Sequence, residues 1–246
     1  MKQKRFFALT LVLAIIIGLF AVVPSVGAVS ENPVKLIYAK PPQHGLAVGA
    51  IGYVEVENIA YEKKVTIHYS FDGVEWDDCE AEYYKPTRGN YEAWKFETPT
   101  RIPSYRGSLT VQFAIKYEVN GQTYWDNNNG QNYSIHAGYS DSGRFDFGVG
   151  GIANRTASKL GDTVIGWLQL KDLGNPKEVK VIYSTDNWAT NDSADAKYYM
   201  TFSQNNYVQE WSYTIPTYTS NLQYKLSYTV NGITYIDDNF GNYYTV

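Results

Sequence analysis

Apolar and polar residues alternate along most of this chain with the two-residue period of a strand that buries one face. Val65, Ile67 and Tyr69 alternate with Thr66 and His68. Val111, Phe113, Ile115, Tyr117 and Val119 alternate with Gln112, Ala114, Lys116 and Glu118. Asn120-Gly121 and Asn231-Gly232 each stand between two such runs. That dipeptide predicts a two-residue hairpin, because both central positions need positive φ. No helical period of useful length occurs after residue 28. Many short runs parted by turn residues predict an all-β chain built of antiparallel sandwiches.

The runs also repeat. AIGYVEVENIAYEKKVTIHYSFDGVEW, from Ala50, is echoed by VIGWLQLKDLGNPKEVKVIYSTDNW, from Val164. NYEAWKFETPT at 90–100 is echoed by NYVQEWSYTIPT at 206–217. FAIKYEVNGQTYWDNNNG, from Phe113, is echoed by YKLSYTVNGITYIDDNFG, from Tyr224. Order and spacing are kept, so the chain reads as a duplication. The expected organisation is two tandem immunoglobulin-like sandwiches, at 29–135 and 144–246. HAGYSDSG, at 136–143, is small and polar as a linker between them should be.

The N-terminus changes this picture only at its edge. MKQKR leads into the eighteen-residue apolar run FFALTLVLAIIIGLFAVV, and PSVGA follows with Val26 and Ala28 at signal-peptidase spacing. The expectation is a signal peptide over 1–28 and a secreted remainder. An uncleaved membrane anchor is the alternative, given the length of the run. Loss of Lys2, Lys4 and Arg5 would move the formal charge from −4 to −7. A mildly acidic chain without basic clusters argues against nucleic acid as a partner. Cys79 is the single cysteine, which excludes an intrachain disulfide and a cysteine-based metal site.

Tyrosine is abundant, at 23 residues. Such side chains suit a half-buried sheet, and equally a surface that receives something flat and hydroxylated. Strand parity sorts the larger rings. Trp94 and Phe96, matched by Trp211 and Tyr213, share a face and read as core. Trp76 and Trp188 instead end the polar, turn-rich segments FDGVEW and TDNW. Trp125 precedes Asp126, Asn127, Asn128 and Asn129; exposure for binding and burial under the loop are both open for it. The asparagines can likewise shape a turn or answer a ligand.

VENIAYEKKVTIHY, NYEAWKF and FAIKYEVNGQTYWDNNNGQNY together resemble the family 21 carbohydrate-binding modules. The likeness covers 34–135 well and 144–246 more loosely. It implies a non-catalytic sandwich with two sites for α-1,4-glucan, as in starch, glycogen and maltooligosaccharides. Trp76, Trp125 and the loop from Asp126 through Asn127, Asn128 and Asn129 to Asn132 match the first site, where Ala114 replaces an aromatic. Tyr61, with Asn58, Lys63 and Glu92, matches the second, completed by Tyr83 or Tyr84. In the second copy Trp188 survives, Ile236 replaces Trp125, and Asn175 replaces Tyr61. That copy is expected either to bind glucan weakly or to serve as a spacer and packing partner.

Trp167 stands where the first copy has Tyr53, and could form a new binding face or the contact between modules. Two other functions compete with glucan binding. One is an adaptor whose second module holds a protein, such as an amylase or a cell-surface component. The other is an accessory fragment of an amylolytic enzyme. Glu92 and the Asp126 loop supply carboxylates, but two sandwiches leave little chain for a glycosidase cleft. The Asp126 loop lacks the glycine and glutamate spacing of an EF-hand, and His44, His68 and His136 lack metal-ligand spacing, so neither a metal nor a cofactor is expected.

Overall fold

The two-residue alternation becomes strands throughout the computed structural model, which describes residues 31–42, 47–104, 107–137, 143–203, 208–216 and 221–246. The apolar leader and the expected cleavage point after Ala28 lie outside the described residues. The first repeat forms β1 (Val34–Lys40), β2 (Ile51–Glu57), β3 (Lys63–Ser70), β4 (Asp77–Glu80), β5 (Glu82–Pro86), β6 (Tyr91–Glu97), β7 (Leu109–Val119), β8 (Gln122–Asp126) and β9 (Tyr133–Ala137). β10 (Asp146–Phe147) follows. The second repeat forms β11 (Ile152–Leu160), β12 (Thr163–Lys171), β13 (Lys177–Ser184), β14 (Asp192–Asp195), β15 (Lys197–Thr201), β16 (Val208–Pro216), β17 (Gln223–Val230), β18 (Ile233–Asp237) and β19 (Tyr244–Thr245).

In the first module one sheet runs β10-β1-β2-β6-β5 and the other β4-β3-β7-β8, with β9 also on β7. The second module repeats this as β11-β12-β16-β15 and β14-β13-β17-β18, with β19 on β17. Irregularities are copied too: the register shift between Leu36 and Tyr38 recurs between Asn154 and Thr156, and that between Tyr83 and Lys85 recurs between Tyr198 and Met200. Asn120 and Asn231 have φ of 50° and 52°, and the glycines after them 72° and 75°, as the hairpin reading requires. Each module has its own core, drawn from inward positions such as Val54, Ile67, Phe96, Phe113 and Ile115 in the first and Leu168, Val181, Tyr213 and Leu226 in the second. Gly166 is obligatory there, since a Cβ would fall 2.1 Å from the Tyr213 ring.

One carboxylate in each module, half-buried in the first and buried in the second, ties the two sheets together. Asp126, at the end of β8, accepts from the Leu36 N–H of β1 at 2.7 Å and from the Tyr133 hydroxyl at 2.9 and 3.0 Å. Asp237 does the same with the Asn154 N–H at 2.7 Å and the Tyr244 hydroxyl at 2.8 Å. Burial raises the pKa of the Asp237 carboxyl, and it raises those of the Tyr133 and Tyr244 hydroxyls.

The modules are joined by a third core rather than by a loose tether. Tyr38 of β1 packs with Phe145 and Phe147 and with Ala153, Phe202 and Val208 of the second repeat. β9 continues to Ala137, two residues into the stretch expected to link the modules, and residues 138–142 lie outside the described ones. Asp146 and Phe147 then pair with Ala39 and Tyr38, so chain counted with the second module completes a sheet of the first. Alternation explains this: Phe145 and Phe147 share one face, and Tyr38 supplies the surface that buries it. Phe240 adds a second contact, 4.6 Å from the Tyr53 ring and 5.5 Å from that of Tyr84. Lys85 donates to the Phe240 carbonyl and, at 3.2 Å, to Asn242 Oδ1, whose amide donates to the Tyr84 hydroxyl at 3.0 Å.

These two aspartates make a stability prediction. Asp126→Ala and Asp237→Ala each strand a strand N–H and a tyrosine hydroxyl, at about 1–3 kcal/mol per unsatisfied donor. Urea denaturation should find each variant destabilised by roughly 2–4 kcal/mol, with Asp→Asn at either position costing less because one acceptor oxygen remains.

Candidate functional site

The outward face of the β4-β3-β7-β8 sheet carries an aromatic array. The turn after β3 delivers Trp76: Ser70 Oγ accepts from the Gly73 N–H, and Asp72 accepts from the N–H groups of Val74 and Glu75. Those bonds hold the Asp72 carboxyl below its usual range. Trp76 lies on His68, with ring centroids 4.9 Å apart and planes 15° from parallel. Trp125, 44% exposed, stands edge-on to the same imidazole at 5.8 Å and 78°. His68 is held from the far side by Asp78, with Nδ1 2.6 Å from Oδ1. It lies opposite Ala114 in the ladder. The ring missing at Ala114 is therefore supplied by the neighbouring strand. His68 was legible only as a polar strand position; its outward parity was the available signal, and its place across from Ala114 emerges only from the ladder.

The loop beside this array is shaped mainly by its own asparagines. Asp126 is spent on the sheet-to-sheet bonds above and also accepts from the Asn128 N–H at 3.3 Å, so it does not face a ligand. Asn127 Oδ1 accepts from the Gly130 N–H at 3.0 Å, and Asn128 Nδ2 donates to the Asn132 carbonyl at 3.1 Å. Asn128, Asn129 and Asn132 have φ of 52°, 56° and 59°, a region asparagine tolerates better than other side chains. The exposed Asn129, the free amide of Asn127 and the half-buried Asn132 are left to meet a ligand.

A second surface lies at the edge of the first module. Tyr61 is 92% exposed on the turn between β2 and β3. Lys63 donates to Asn58 Oδ1 and pairs with Glu92 at 2.8 Å, and Glu92 accepts from the Trp94 indole at 3.2 Å. Lys63 and Glu92 are nearly covered, at 5% and 13% side-chain exposure, so they form a scaffold rather than a contact surface. Tyr83, exposed, stands edge-on to Trp94 at 6.1 Å. Tyr84 points to the opposite face of β5, against Tyr53 and Phe240. Of the two tyrosines, Tyr83 is the one left open on this surface, and Tyr84 belongs to the contact between modules.

The second module keeps more of both surfaces than its sequence suggested. Its tryptophan comes two residues sooner after the strand, in a turn one residue longer, and Trp188 itself lies at φ 67°, with its N–H on Ser184 Oγ at 2.9 Å. Tyr243, at the position of Asn132, lies 4.3 Å from the Trp188 ring, and Lys225 Nζ is 5.1 Å from its centroid. At the edge, Tyr198 stands against Trp211 at 5.9 Å, as Tyr83 does against Trp94. The network beneath is preserved with its charge moved. Trp211 donates to Gln209 at 3.1 Å, Gln209 donates to Asp172 at 2.9 Å, and Asp172 pairs with Lys177 at 2.6 Å. The carboxylate at Glu92 in one module sits at the Asn58 position in the other. Asn175 replaces Tyr61 and is exposed.

Paired β-sandwiches that present stacked rings beside an amide-rich loop form a class of modules that bind ring-bearing, hydroxylated ligands. The family model described as carbohydrate/starch-binding module (family 21) matches residues 30–136 and 152–246, and the chain belongs to that family. Among its relatives, protein phosphatase 1 regulatory subunit 3B of Danio rerio is 41% identical over 92 residues, 35% of this chain and 30% of that protein. Glucoamylase 1 of Rhizopus oryzae is 43% identical over 89 residues, 34% of this chain and 14% of the enzyme. The match thus spans under a third of either relative. The solved starch-binding domain of the Rhizopus glucoamylase, in complex with β-cyclodextrin and maltoheptaose, is 35% identical, with a TM-score of 0.34 over 43% of this chain and 94% of that one. The carbohydrate-binding module of the muscle glycogen-targeting subunit of protein phosphatase 1 is 26% identical, with a TM-score of 0.37 over 46% and 78%.

The turn that carries Trp188 should respond to acid. Asp186 accepts from the Thr190 N–H, the Thr190 hydroxyl and the Ser184 hydroxyl, and these lower its pKa from the ordinary 3.8 to about 2. A depressed carboxylate pKa favours the folded state above the unfolded value, and that contribution fades as pH drops through the folded one. Asp186→Asn should therefore be less stable than the parent at neutral pH. The gap should close between pH 3.8 and about 2, as read by urea unfolding at stepped pH.

Proposed function

We propose that the protein is a non-catalytic, exported binder of α-1,4-glucan, acting mainly through the first module. The carrying observation is the row Trp76, His68 and Trp125, with centroid spacings of 4.9 and 5.8 Å, on an open sheet face beside the Asn127–Asn132 loop. A pyranose has an apolar C–H face and a rim of hydroxyls; indoles receive the face, and Asn127, Asn129 and Asn132 answer the rim. Family membership and the relatives that target glycogen or bind starch support this ligand class. Tyr61 and Tyr83 form the second contact on the same module. The segment up to Ala28 is read as the export signal, which N-terminal sequencing of the secreted protein would test.

By analogy with bases stacked on aromatic side chains, each ring contributes ~1–3 kcal/mol. Two plates with a few solvent-exposed hydrogen bonds imply an affinity of roughly micromolar to millimolar. The expected result is that the protein sediments with granular starch and not with cellulose. Trp76→Ala/Trp125→Ala should weaken retention at least about 30-fold. His68→Ala should weaken it about fivefold, because it removes the ring that orients both indoles. Retention unchanged in the double variant, or release of reducing sugar from soluble starch, would defeat the proposal.

A further inference from the structure

We propose that the outer face of the second module around Trp167 and Tyr199 is a further pyranose-binding site, taking neutral glucose units of the same α-glucan. The inference rests on the glucan-binding reading and locates a surface for it outside the two family-matched positions. Trp167, on β12, and Tyr199, on β15, form a corner of rings 4.8 Å apart with planes at 78°. Tyr199 is 59% exposed, and Ile165 and Leu160 beyond it are 41% and 72% exposed.

The first module shows what such a corner accepts. Tyr53 and Tyr84 occupy the matching positions, 5.4 Å apart at 58°, and between them they hold the six-membered ring of Phe240. Trp167 has no such cover among the described residues; its ring contact there is with Tyr199 of its own module. The contact between modules uses Tyr53, so the reading of Trp167 as the packing residue falls and the reading as a binding face remains.

The surroundings decide the ligand. In the first module Tyr53 is flanked across the sheet by Tyr38 and Lys95, and Ile51 by Lys40 and Glu97. In the second, Trp167 is flanked by Thr156 and Ser212, and Ile165 by Ser158 and Thr214. An aromatic and three charges have all become short hydroxyls. Lys85, which captures the Phe240 carbonyl in the first module, is matched by Met200. The first corner is thus equipped to hold a peptide loop by its carbonyl. The second offers a ring pair edged by short hydroxyls, with Lys197 beyond Ser212 and the mutually paired Arg155 and Glu210 in the next row as its nearest charges. That set fits an apolar sugar face with a hydroxyl rim.

The test follows the indole N–H resonances of the intact protein by NMR, with Trp167 assigned from its loss in Trp167→Phe. Titration with maltoheptaose should shift the Trp167 signal saturably, and cellohexaose should leave it in place. Movement of Trp76 and Trp125 with Trp167 still would overturn this site and leave the glucan reading intact; no indole moving at all would defeat the glucan reading itself. Trp167→Ala/Tyr199→Ala should weaken retention on granular starch about tenfold, and Tyr199→Phe should keep it within about twofold. Unchanged retention, or a change in self-association alone by sedimentation velocity, would mark the face as a protein contact instead.

Discussion

Each repeat depends on one carboxylate that the opposite sheet cannot do without. Asp126 and Asp237 end the hairpin strand of one sheet while accepting the strand N–H of Leu36 or Asn154 in the other. Hydrogen bonds to a charged acceptor of this kind are worth about 1.5–3 kcal/mol each, so the hairpin end has little freedom to move. The residues before the carboxylate are thereby aimed outward, which is where Trp125 stands. Those after it must turn back within a few positions to let Tyr133 or Tyr244 reach the same oxygens. Left-handed backbone is the solution in both modules, at 128, 129 and 132 and again at 239, 240 and 243.

That shared backbone explains how two copies of one loop came to different uses. Asparagine takes left-handed φ at small cost, while an ordinary L side chain there loses roughly 1–2 kcal/mol. The second module carries Phe240 and Tyr243 at two of these positions and a bulky Trp188 at another left-handed site. Each strained residue is matched by a ring contact: Phe240 with Tyr53 and Tyr84, and Tyr243 with Trp188. The edge network diverged more quietly. Its carboxylate moved from Glu92 to Asp172 and its amide from Asn58 to Gln209, so one lysine still meets one negative charge.

The fold was legible because alternation and the Asn-Gly hairpins are local properties, and duplication allowed each copy to check the other. Trp76 stood out because it ends a polar turn, Trp125 stayed open between exposure and burial, and Tyr61 with the pair Tyr83 and Tyr84 came from the family resemblance alone. What escaped notice depended on cross-strand register. His68 becomes part of the array only when β3 is laid against Ala114 of β7. Asp126, Lys63 and Glu92 look like ligand-facing polar residues in one dimension, and only the packing shows their capacity already used. The third core escaped for the opposite reason: Phe145 and Phe147 are two apolar residues after a polar stretch, too short a pattern to signal a strand.

The contact between the modules is head-to-tail, with a loop of one seated on a sheet face of the other. Asymmetric contacts of that kind generate open-ended chains whenever every subunit offers both halves. Here neither module does. The first has Asn129 where the second has Phe240, and the second has Thr156 and Met200 where the first has Tyr38 and Lys85. Each repeat has surrendered one half of the joint, so these two modules meet in one order only and can no longer exchange places.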